Sequence, residues 1–485
     1  MVVSAPAGTF TGYYENDSVW FRGIRYATAD RFRPPRPAGP KDKCCRTFGA
    51  KSLQATRDGM GHPVPGPFSE DCLFLNVVVP AEKPEGLMPV VVDIHGGAFQ
   101  TGSGNDSAVF SLVTEEKAKI VAVSINYRLG ALGYLFLRDS LGAGFCDGNM
   151  GLLDQICALR WVHDNIEAFG GDPGRVTLYG VSAGGKSVGA LMLSEQSKHL
   201  FSQAILSSGG VQAVRTPETA SRLAGRFLTM LQLKDNWEIL TIPSSLILKV
   251  QSVFTAGPGS TCLFGPVADG EVIPADWRDV IRSDRGWKGN TMIGNNLNEL
   301  VFLKMGGELL RNAPMIAAQL LGDNGEYAEK AYHALTGGKL MLDEEREDAW
   351  VKVLSDCMYR THGDRLGQIL ASRGAEVYTY SFDFPPAHHS QDAMTLHHGS
   401  KAPAIGEPRS AADKHALDRI MHEMRASYIA FIENGDPNHD AIPRWDPVEP
   451  GSYGRIHFDR ETYFDKPTGC PSVTDFPDES IDLPG

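Results

Sequence analysis

The feature that most limits the fold is an alternation between strand-like and helix-like stretches from about Leu73 to Ser208. The strand-like runs are rich in β-branched residues and read LFLNVVV, PVVVDIHGG, IVAVSINYR, VTLYGVS and QAILSSGG. Because these runs are apolar on both faces, they predict strands that are buried on both sides. The alternation therefore predicts an α/β fold with a mostly parallel central sheet flanked by helices.

The remainder of the chain extends this scaffold without a clear boundary. After Gly210 helical patterns dominate, and they predict helical insertions roughly within 211–375 that cover one end of the sheet. The N-terminal stretch GTFTGYYENDSVWFRGIRYA predicts a small antiparallel sheet. Because no internal repeat or low-complexity linker is present, we expect residues 1–485 to form a single domain.

Composition and charge exclude several classes of function. The chain has 46 basic and 59 acidic residues, a net charge of -13, which disfavours binding to nucleic acid or to an anionic membrane. No apolar run reaches the roughly 18 residues of a membrane span, and the first residues lack the pattern of a secretory signal. The eight cysteines include no C-x-x-C pair. We expect a cytoplasmic protein that acts on a small molecule.

The stretch VTLYGVSAGGKS places Ser182 inside the pattern G-x-S-x-G, between a predicted strand and a predicted helix. In that context the pattern is typical of a nucleophile elbow, a sharp turn that exposes a strained serine. A serine that only starts a glycine-rich helix is the alternative. The flanking strand and helix favour Ser182 as a nucleophile.

A second glycine-rich turn, HGGA, ends an earlier predicted strand. Acyl transfer places negative charge on the former carbonyl oxygen, and fixed backbone N–H groups stabilise that charge well. Gly96 and Gly97 allow the backbone to approach this oxygen closely. Together with the N–H of Ala183, the residue after Ser182, they predict an oxyanion hole.

Many stretches resemble the type-B carboxylesterase/lipase family, which includes carboxylesterases and cholinesterases of the α/β-hydrolase fold. The matching stretches include FRGIRYA, SEDCLFLNV, HGGAF, INYRLGALGYL, GNMGLLDQ, FGGDPGRVTLYG and IGNNLNE. They cover most of residues 5–300, and together they are far more specific than G-x-S-x-G alone. The resemblance implies this fold and a serine esterase activity.

The resemblance also implies the acid and the base of a catalytic triad. The family pattern G-x-N-x-x-E ends at Glu299, which we prefer to Asp269 in the turn-like VADGE. The family pattern of histidine, glycine and a later proline fits His398, and His397 beside it is the alternative. A second histidine doublet, interpreted as part of a loop, is His388 and His389.

The implied mechanism is attack by Ser182 on a carboxylic ester, with His398 as general base and Glu299 orienting it, through an acyl-enzyme intermediate. It needs no metal and no organic cofactor. The expected substrate is an uncharged ester in a largely apolar pocket. Two alternatives are a scaffold adapted to a natural-product or xenobiotic ester or to non-hydrolytic chemistry, and a binding protein without catalysis.

Two departures from the family stand out. Relatives join the cysteine of EDCLFLN to an upstream cysteine, whose place is taken here by Ser52, so we expect Cys72 to form no such disulfide. Relatives also carry a glutamate before the nucleophile and an acid three residues after the base. Val181 and Lys401 occupy these places here, while the serine that joins them in one network remains as Ser208. We interpret this as the joint loss of a polar network, and two independent substitutions at tolerant positions are the alternative.

Cholinesterase-like relatives carry a tryptophan ten residues before that cysteine, where its ring binds quaternary ammonium. His62 occupies this place here. We therefore predict that choline esters are hydrolysed no faster than neutral esters of the same size. Comparison of kcat/KM for butyrylcholine and for 3,3-dimethylbutyl butyrate tests this, and a strong preference for the choline ester would contradict it.

Overall fold

The computed structural model describes residues 1–56, 64–142, 145–146, 148–256, 263–304, 309–337, 339–402 and 409–467. A large mixed sheet runs through the molecule, with helices on both faces. None of the described helices combines the length and the apolar character that a membrane crossing requires.

The strands, in chain order, are β1 (Val2–Ala5), β2 (Gly8–Thr11), β3 (Tyr13–Glu15), β4 (Ser18–Arg25), β5 (Ala27–Thr28), β6 (Arg36–Pro37), β7 (Lys43–Cys44), β8 (Lys51–Ser52), β9 (Phe68–Ser69), β10 (Phe74–Pro80), β11 (Met88–Ile94), β12 (Val121–Ile125), β13 (Gly171–Val181), β14 (Gln203–Ser207), β15 (Asn290–Asn296), β16 (Val377–Phe382), β17 (Arg455–Phe458) and β18 (Tyr463–Asp465).

The helices are α1 (Val109–Thr114), α2 (Gly130–Tyr134), α3 (Arg138–Leu141), α4 (Met150–Asn165), α5 (Ala183–Leu193), α6 (Pro217–Leu231), α7 (Ser244–Phe254), α8 (Trp277–Arg282), α9 (Leu309–Leu321), α10 (Gly325–Thr336), α11 (Asp343–Ser355), α12 (Thr361–Ser372), α13 (Gln391–His398) and α14 (Ala411–Asn434). A π-helical turn, Asp356–Arg360, joins α11 to α12.

The large sheet has the strand order β18-β17-β16-β15-β14-β13-β11-β12-β10-β4-β3. Strands β12, β11 and β13 to β17 are parallel, while β10, β4 and β3 at one edge and β18 at the other add antiparallel pairs. The strand order reverses at β11, which lies between β12 and β13. Crevices at such a reversal, beyond the carboxyl ends of the strands, are the usual ligand sites of parallel sheets.

The sequence-based prediction of the sheet is confirmed, with a difference at the N terminus. Strands β1 and β2 pair antiparallel in a separate small sheet, but β7 adds to β2 in parallel. Strands β3 and β4, from the same N-terminal stretch, instead extend the edge of the large sheet. Strand β4 pairs with β10 and is buried along most of its length, which is typical of a strand inside a large sheet.

Two apolar layers cover the sheet because residues along each strand point alternately to its two faces. One layer packs side chains such as Val90 and Val92 of β11 against α4 and α5. The other packs Val91 of β11 and Tyr179 of β13 against α1 and α14. A separate cluster joins α9, α10 and α11. Helices α6 to α12 lie in the interval where insertions were expected, divided by β15.

Cys72 is a buried free thiol that lies beside Ser52, the residue that the family resemblance places opposite it. Burial raises the pKa of Cys72 to about 12, and a hydrogen bond with Ser52 opposes this rise. Ser52 also donates a hydrogen bond to the backbone carbonyl of Tyr127. The serine hydroxyl therefore fills the space beside Cys72 and satisfies a neighbouring polar group.

Asp93 is an acidic side chain in the middle of the sheet. It lies on β11, is 4% exposed, and its Oδ2 accepts a hydrogen bond from the Ser107 hydroxyl. Burial raises the pKa of Asp93 to about 7, the bond from Ser107 opposes the rise, and nearby Asp106 adds to it. Burial of a carboxylate favours its neutral form because the charge loses hydration.

We predict that Cys72 is unlinked in the folded protein. Non-reducing mass spectrometry should find it free, and iodoacetamide should modify it only after denaturation, because the thiol is buried and its pKa is high. Exposed Cys44 is the internal control and should react in the native state. A peptide with Cys72 cross-linked to another cysteine would contradict the prediction.

We also predict that Asp93→Asn stabilises the fold increasingly as pH rises. Between pH 3.8 and about 7 the folded state keeps a proton that the unfolded chain has lost, so the unfolding free energy of the wild type falls as pH increases. The unfolding free energy falls by roughly 1.4 kcal/mol for each unit by which the pKa in the folded state exceeds that in the unfolded chain. The Tm difference between Asp93→Asn and wild type should therefore grow from pH 5 to pH 8.

Calorimetry at a series of pH values tests this, with Asp17→Asn as the control. Asp17 is an exposed carboxylate paired with Lys117, and the hydrogen bond from that lysine lowers its pKa. Its replacement should therefore give no rise in Tm difference over this range. A Tm difference for Asp93→Asn that stays constant with pH would show that the Asp93 charge is not the cause.

Candidate functional site

Ser182 occupies the sharp turn between β13 and α5. Its backbone has φ 58° and ψ −121°, a conformation that costs a non-glycine residue free energy and that persists because the surroundings fix it. The flanking glycines allow the close packing of the turn. A Cβ atom on Gly184 would lie 1.8 Å from the carbonyl oxygen of Ile94, and one on Gly180 would lie 2.3 Å from the backbone of Gly184. The predicted nucleophile elbow is therefore present.

The HGGA turn follows β11 directly and lies against this elbow. A Cβ atom on Gly96 would lie 2.6 Å from the carbonyl oxygen of Val181 and 3.2 Å from the Cβ of Ser182. Gly97 has φ +110°, a conformation that favours glycine. Ala183 is the first residue of α5, so its backbone N–H has no acceptor within the helix. The three residues line the same cavity as Ser182.

A continuous hydrogen-bonded chain links Ser182 to a histidine and to a carboxylate. Nε2 of His389 lies 2.8 Å from Oγ of Ser182. Nδ1 of the same ring lies 2.5 Å from Oε2 of Glu299. The three side chains come from three loops, each of which follows a parallel strand: β13, β15 and β16.

Glu299 is held by donors on both oxygens. Its Oε1 accepts hydrogen bonds from the Ser208 hydroxyl at 2.5 Å and from the Asn296 backbone N–H at 2.7 Å. Burial by itself raises the pKa of Glu299, but the facing His389 and the donors outweigh it, so the pKa is lowered overall. Glu299 is 1% exposed, and the lowered pKa keeps this buried carboxylate ionised.

The two loops that carry Glu299 and His389 are joined by backbone hydrogen bonds. The N–H of His389 donates to the carbonyl of Glu299 at 3.2 Å, and the N–H of Asn298 donates to the carbonyl of Ala387 at 3.0 Å. The ring of Tyr359, from the π-helical turn, packs on the His389 ring with centroids 4.8 Å apart. These contacts fix the imidazole between Ser182 and Glu299.

The prediction of His398 as the histidine of this site is wrong. His398 is the last residue of α13, and its ring stacks on that of His397, with centroids 3.8 Å apart. Both rings line the wall of the cavity, but His389 holds the place between Ser182 and Glu299. The interpretation of His389 as an ordinary loop residue is therefore also wrong. Pro403, part of the pattern that favoured His398, lies outside the described residues.

Two signals in the sequence point to His389. It lies in the short loop after β16, and functional side chains of parallel sheets gather where strands end. His398 instead lies at the end of a further helix, α13. The second signal is the position of an acidic residue. Relatives place an acid three residues after the histidine, and Asp392 lies at that distance from His389.

The prediction that both carboxylates of the polar network are lost is also wrong. Lys401 is exposed and does not occupy the position that follows the site histidine. Asp392 does, and it is fully buried. It accepts hydrogen bonds from the hydroxyls of Ser207 and Tyr380 and from Nδ2 of Asn296. Because these donors satisfy Asp392, it needs no glutamate at the position of Val181.

The other predicted residues take different places. Val181 is half-buried and lines the cavity beside Ser182, while Ser208 contacts Glu299 rather than Asp392. Asp269, the rival acid, accepts the backbone N–H groups of a tight turn. His62 lies outside the described residues, so the position of the missing tryptophan is not described.

Ser182 and His389 open into a cavity of about 850 Å³. Its accessible wall is mostly apolar, in agreement with the pocket expected from the sequence, and it also includes charged and polar side chains. Examples are Asp93, Tyr179 and Lys186. Lys186 is 6% exposed, and its ammonium lies 5.0 Å from the centre of the Tyr359 ring.

Comparisons with known proteins agree with this geometry. The model of the carboxylesterase family matches residues 1–469. Phenmedipham hydrolase of Pseudarthrobacter oxydans is 32% identical over 480 residues, which is 92% of each chain. Para-nitrobenzyl esterase of Bacillus subtilis is 28% identical over 469 residues, which is 91% of each chain.

Among solved structures, a carboxylesterase of Geobacillus stearothermophilus superposes with a TM-score of 0.80 at 28% identity. The match covers 96% of this chain and 97% of that one. The large mixed sheet with helices on both faces is therefore the α/β-hydrolase fold. With this fold, a strained serine at its elbow and a family match over nearly the whole length, the chain belongs to the carboxylesterase family and is a serine hydrolase of carboxylic esters.

Proposed function

We propose that Ser182, His389 and Glu299 form the catalytic triad. His389 takes the proton of the Ser182 hydroxyl as this oxygen attacks the ester carbonyl, and it returns the proton to the leaving alcohol. Water then attacks the acyl-enzyme with His389 again acting as base. Glu299 fixes the tautomer and stabilises the imidazolium that forms.

The oxyanion of each tetrahedral intermediate is bound by the backbone N–H groups of Gly96, Gly97 and Ala183. The glycine contacts that bring the HGGA turn onto the elbow support this assignment. Ala183 also begins α5, and the positive end of the helix dipole lies there. Because these donors are fixed before reaction, they stabilise the developing charge without reorganisation.

The observation that carries the proposal is the hydrogen-bonded chain through His389, at 2.8 Å to Ser182 and 2.5 Å to Glu299. A cavity of about 850 Å³ suits a drug-sized ester rather than a polymer. The free thiols of the described cysteines support a reducing compartment, and we propose the cytoplasm as the site of action.

Substitution of the two histidines tests the triad. We expect His389→Gln to lower kcat for 4-nitrophenyl butyrate at least about 1,000-fold, because the serine loses its base. His398→Gln should lower kcat/KM less than about tenfold, because its ring touches only the cavity wall. Ser182→Ala should remove the burst of nitrophenol.

Circular dichroism and Tm measurements control for folding of each variant. Nearly full activity in His389→Gln together with loss in His398→Gln would overturn the assignment of the base. Hydrolysis that persists in Ser182→Ala would overturn the acyl-enzyme mechanism itself.

A further inference from the structure

Asp93 and Tyr179 are polar residues on neighbouring strands, in the wall of the cavity that holds the nucleophile. They are register partners in the parallel strands β11 and β13, so their side chains are neighbours on the same face of the sheet. Adjacent strands lie about 4.8 Å apart. Both side chains are almost fully buried, at 4% and 2% exposed, yet both line the cavity that holds Ser182 and His389.

The hydroxyl of Tyr179 is buried and makes no hydrogen bond to the residues that the structure describes. The Tyr179 ring is anchored, since it packs edge-on against Tyr428 with centroids 5.7 Å apart. A buried polar atom without a partner destabilises the fold, so proteins rarely keep one without a reason. A ligand group in the cavity would supply the partner.

Asp93 adds an acceptor on the neighbouring strand. Ser107 donates to its Oδ2, which leaves Oδ1 as the acceptor for a second donor. The wall of the same cavity includes the apolar side chains of Val181, Ala108 and Met394. We call the part of the cavity lined by Asp93, Tyr179, Val181, Ala108 and Met394 the Asp93–Tyr179 recess.

We propose that the Asp93–Tyr179 recess binds a hydroxyl group of the substrate, carried several bonds away from the scissile ester carbonyl. The hydroxyl oxygen accepts a hydrogen bond from Tyr179, and its proton is donated to Asp93. This inference rests on the proposed attack by Ser182, and it adds the class of substrate, which is a hydroxylated ester.

The acidic side chains near the recess disfavour an anionic group. An anionic group would approach the carboxyl of Asp93 and also that of Asp106, which lines the same cavity. Burial disfavours a charge on Asp93 and raises its pKa to about 7. A hydroxyl both donates and accepts, so one small group can satisfy the two side chains.

Esters in which a hydroxyl replaces a methyl of equal size test this proposal. On the acyl side the pair is 4-nitrophenyl 6-hydroxyhexanoate and 4-nitrophenyl heptanoate. On the alcohol side it is 4-(hydroxymethyl)phenyl butyrate and 4-ethylphenyl butyrate. In at least one pair, the ratio of kcat/KM for the hydroxyl ester to that for the methyl ester should fall about tenfold in Tyr179→Phe.

Tyr378→Phe is the matched control. Tyr378 is a buried tyrosine on β16 of the same sheet, packed against Phe431 and Trp445 and away from the cavity. Its replacement should leave both ratios as in the wild type. Equal ratios in wild type and Tyr179→Phe for both pairs would overturn the proposal.

A third acyl ester, 4-nitrophenyl 6-aminohexanoate, distinguishes a neutral from a cationic ligand. A preference for this ammonium ester over the hydroxyl ester that disappears in Asp93→Asn would assign the recess to a cation and overturn the proposal. We expect no such preference.

Binding without catalysis separates this proposal from that of the triad. With Ser182→Ala, the hydroxyl ester of the responsive pair should raise Tm more than its methyl partner, and addition of Tyr179→Phe should remove the difference. If hydrolysis survives in Ser182→Ala, the triad proposal fails while the ratios still test the recess. If the Tm difference is absent, the recess proposal fails even when the triad holds.

Discussion

The buried carboxylate of Glu299 is the interaction on which the site depends, because it joins three segments that are distant in sequence. Its donors are the Ser208 hydroxyl after β14, the backbone of Asn296 at the end of β15, and His389 after β16. An ionised carboxylate can stay in the interior only when such donors replace its hydration. The same bonds that keep it charged also fix the direction of the His389 ring, so stability and orientation have one cause.

Close backbone packing makes this convergence possible. Gly184 lets the start of α5 approach the end of β11 to a distance that a Cβ atom would forbid. Gly294 in β15 does the same for a side chain, since a Cβ there would lie 1.7 Å from the Tyr380 ring. The Tyr380 hydroxyl can therefore donate a hydrogen bond to Asp392. Asp392 also accepts a hydrogen bond from Nδ2 of Asn296, the residue whose backbone N–H binds Glu299. The glycines of the motifs are thus required for close contacts with neighbouring strands as well as for the turns.

Features that depend on local pattern could be predicted from the sequence. The parallel sheet is predicted from runs that are apolar on both faces. The elbow at Ser182 is predicted from small residues between a strand and a helix. The choice of histidine depends on backbone contacts between the loops after β15 and β16, which no side-chain pattern specifies. The chain has two histidine doublets nine residues apart, and only the second is followed by the glycine and proline of the family pattern. The acid at position 392, three residues after His389, is the competing signal.

The two polar residues in the cavity wall could not be identified from the sequence for a related reason. Asp93 and Tyr179 lie in runs that read as buried strand, and only the register of β11 against β13 places them side by side. Asp392 lies on the same side of the sheet, since Tyr380 of that apolar layer reaches it, but its three donors satisfy it within the protein. Among the described residues Asp93 has one such side-chain donor, Ser107. A fully satisfied carboxylate is part of the framework, whereas a partly satisfied one beside an unpaired hydroxyl retains hydrogen-bonding capacity for a ligand. The number of donors around each acid therefore separates the group that holds the catalytic loops from the group that can select the substrate.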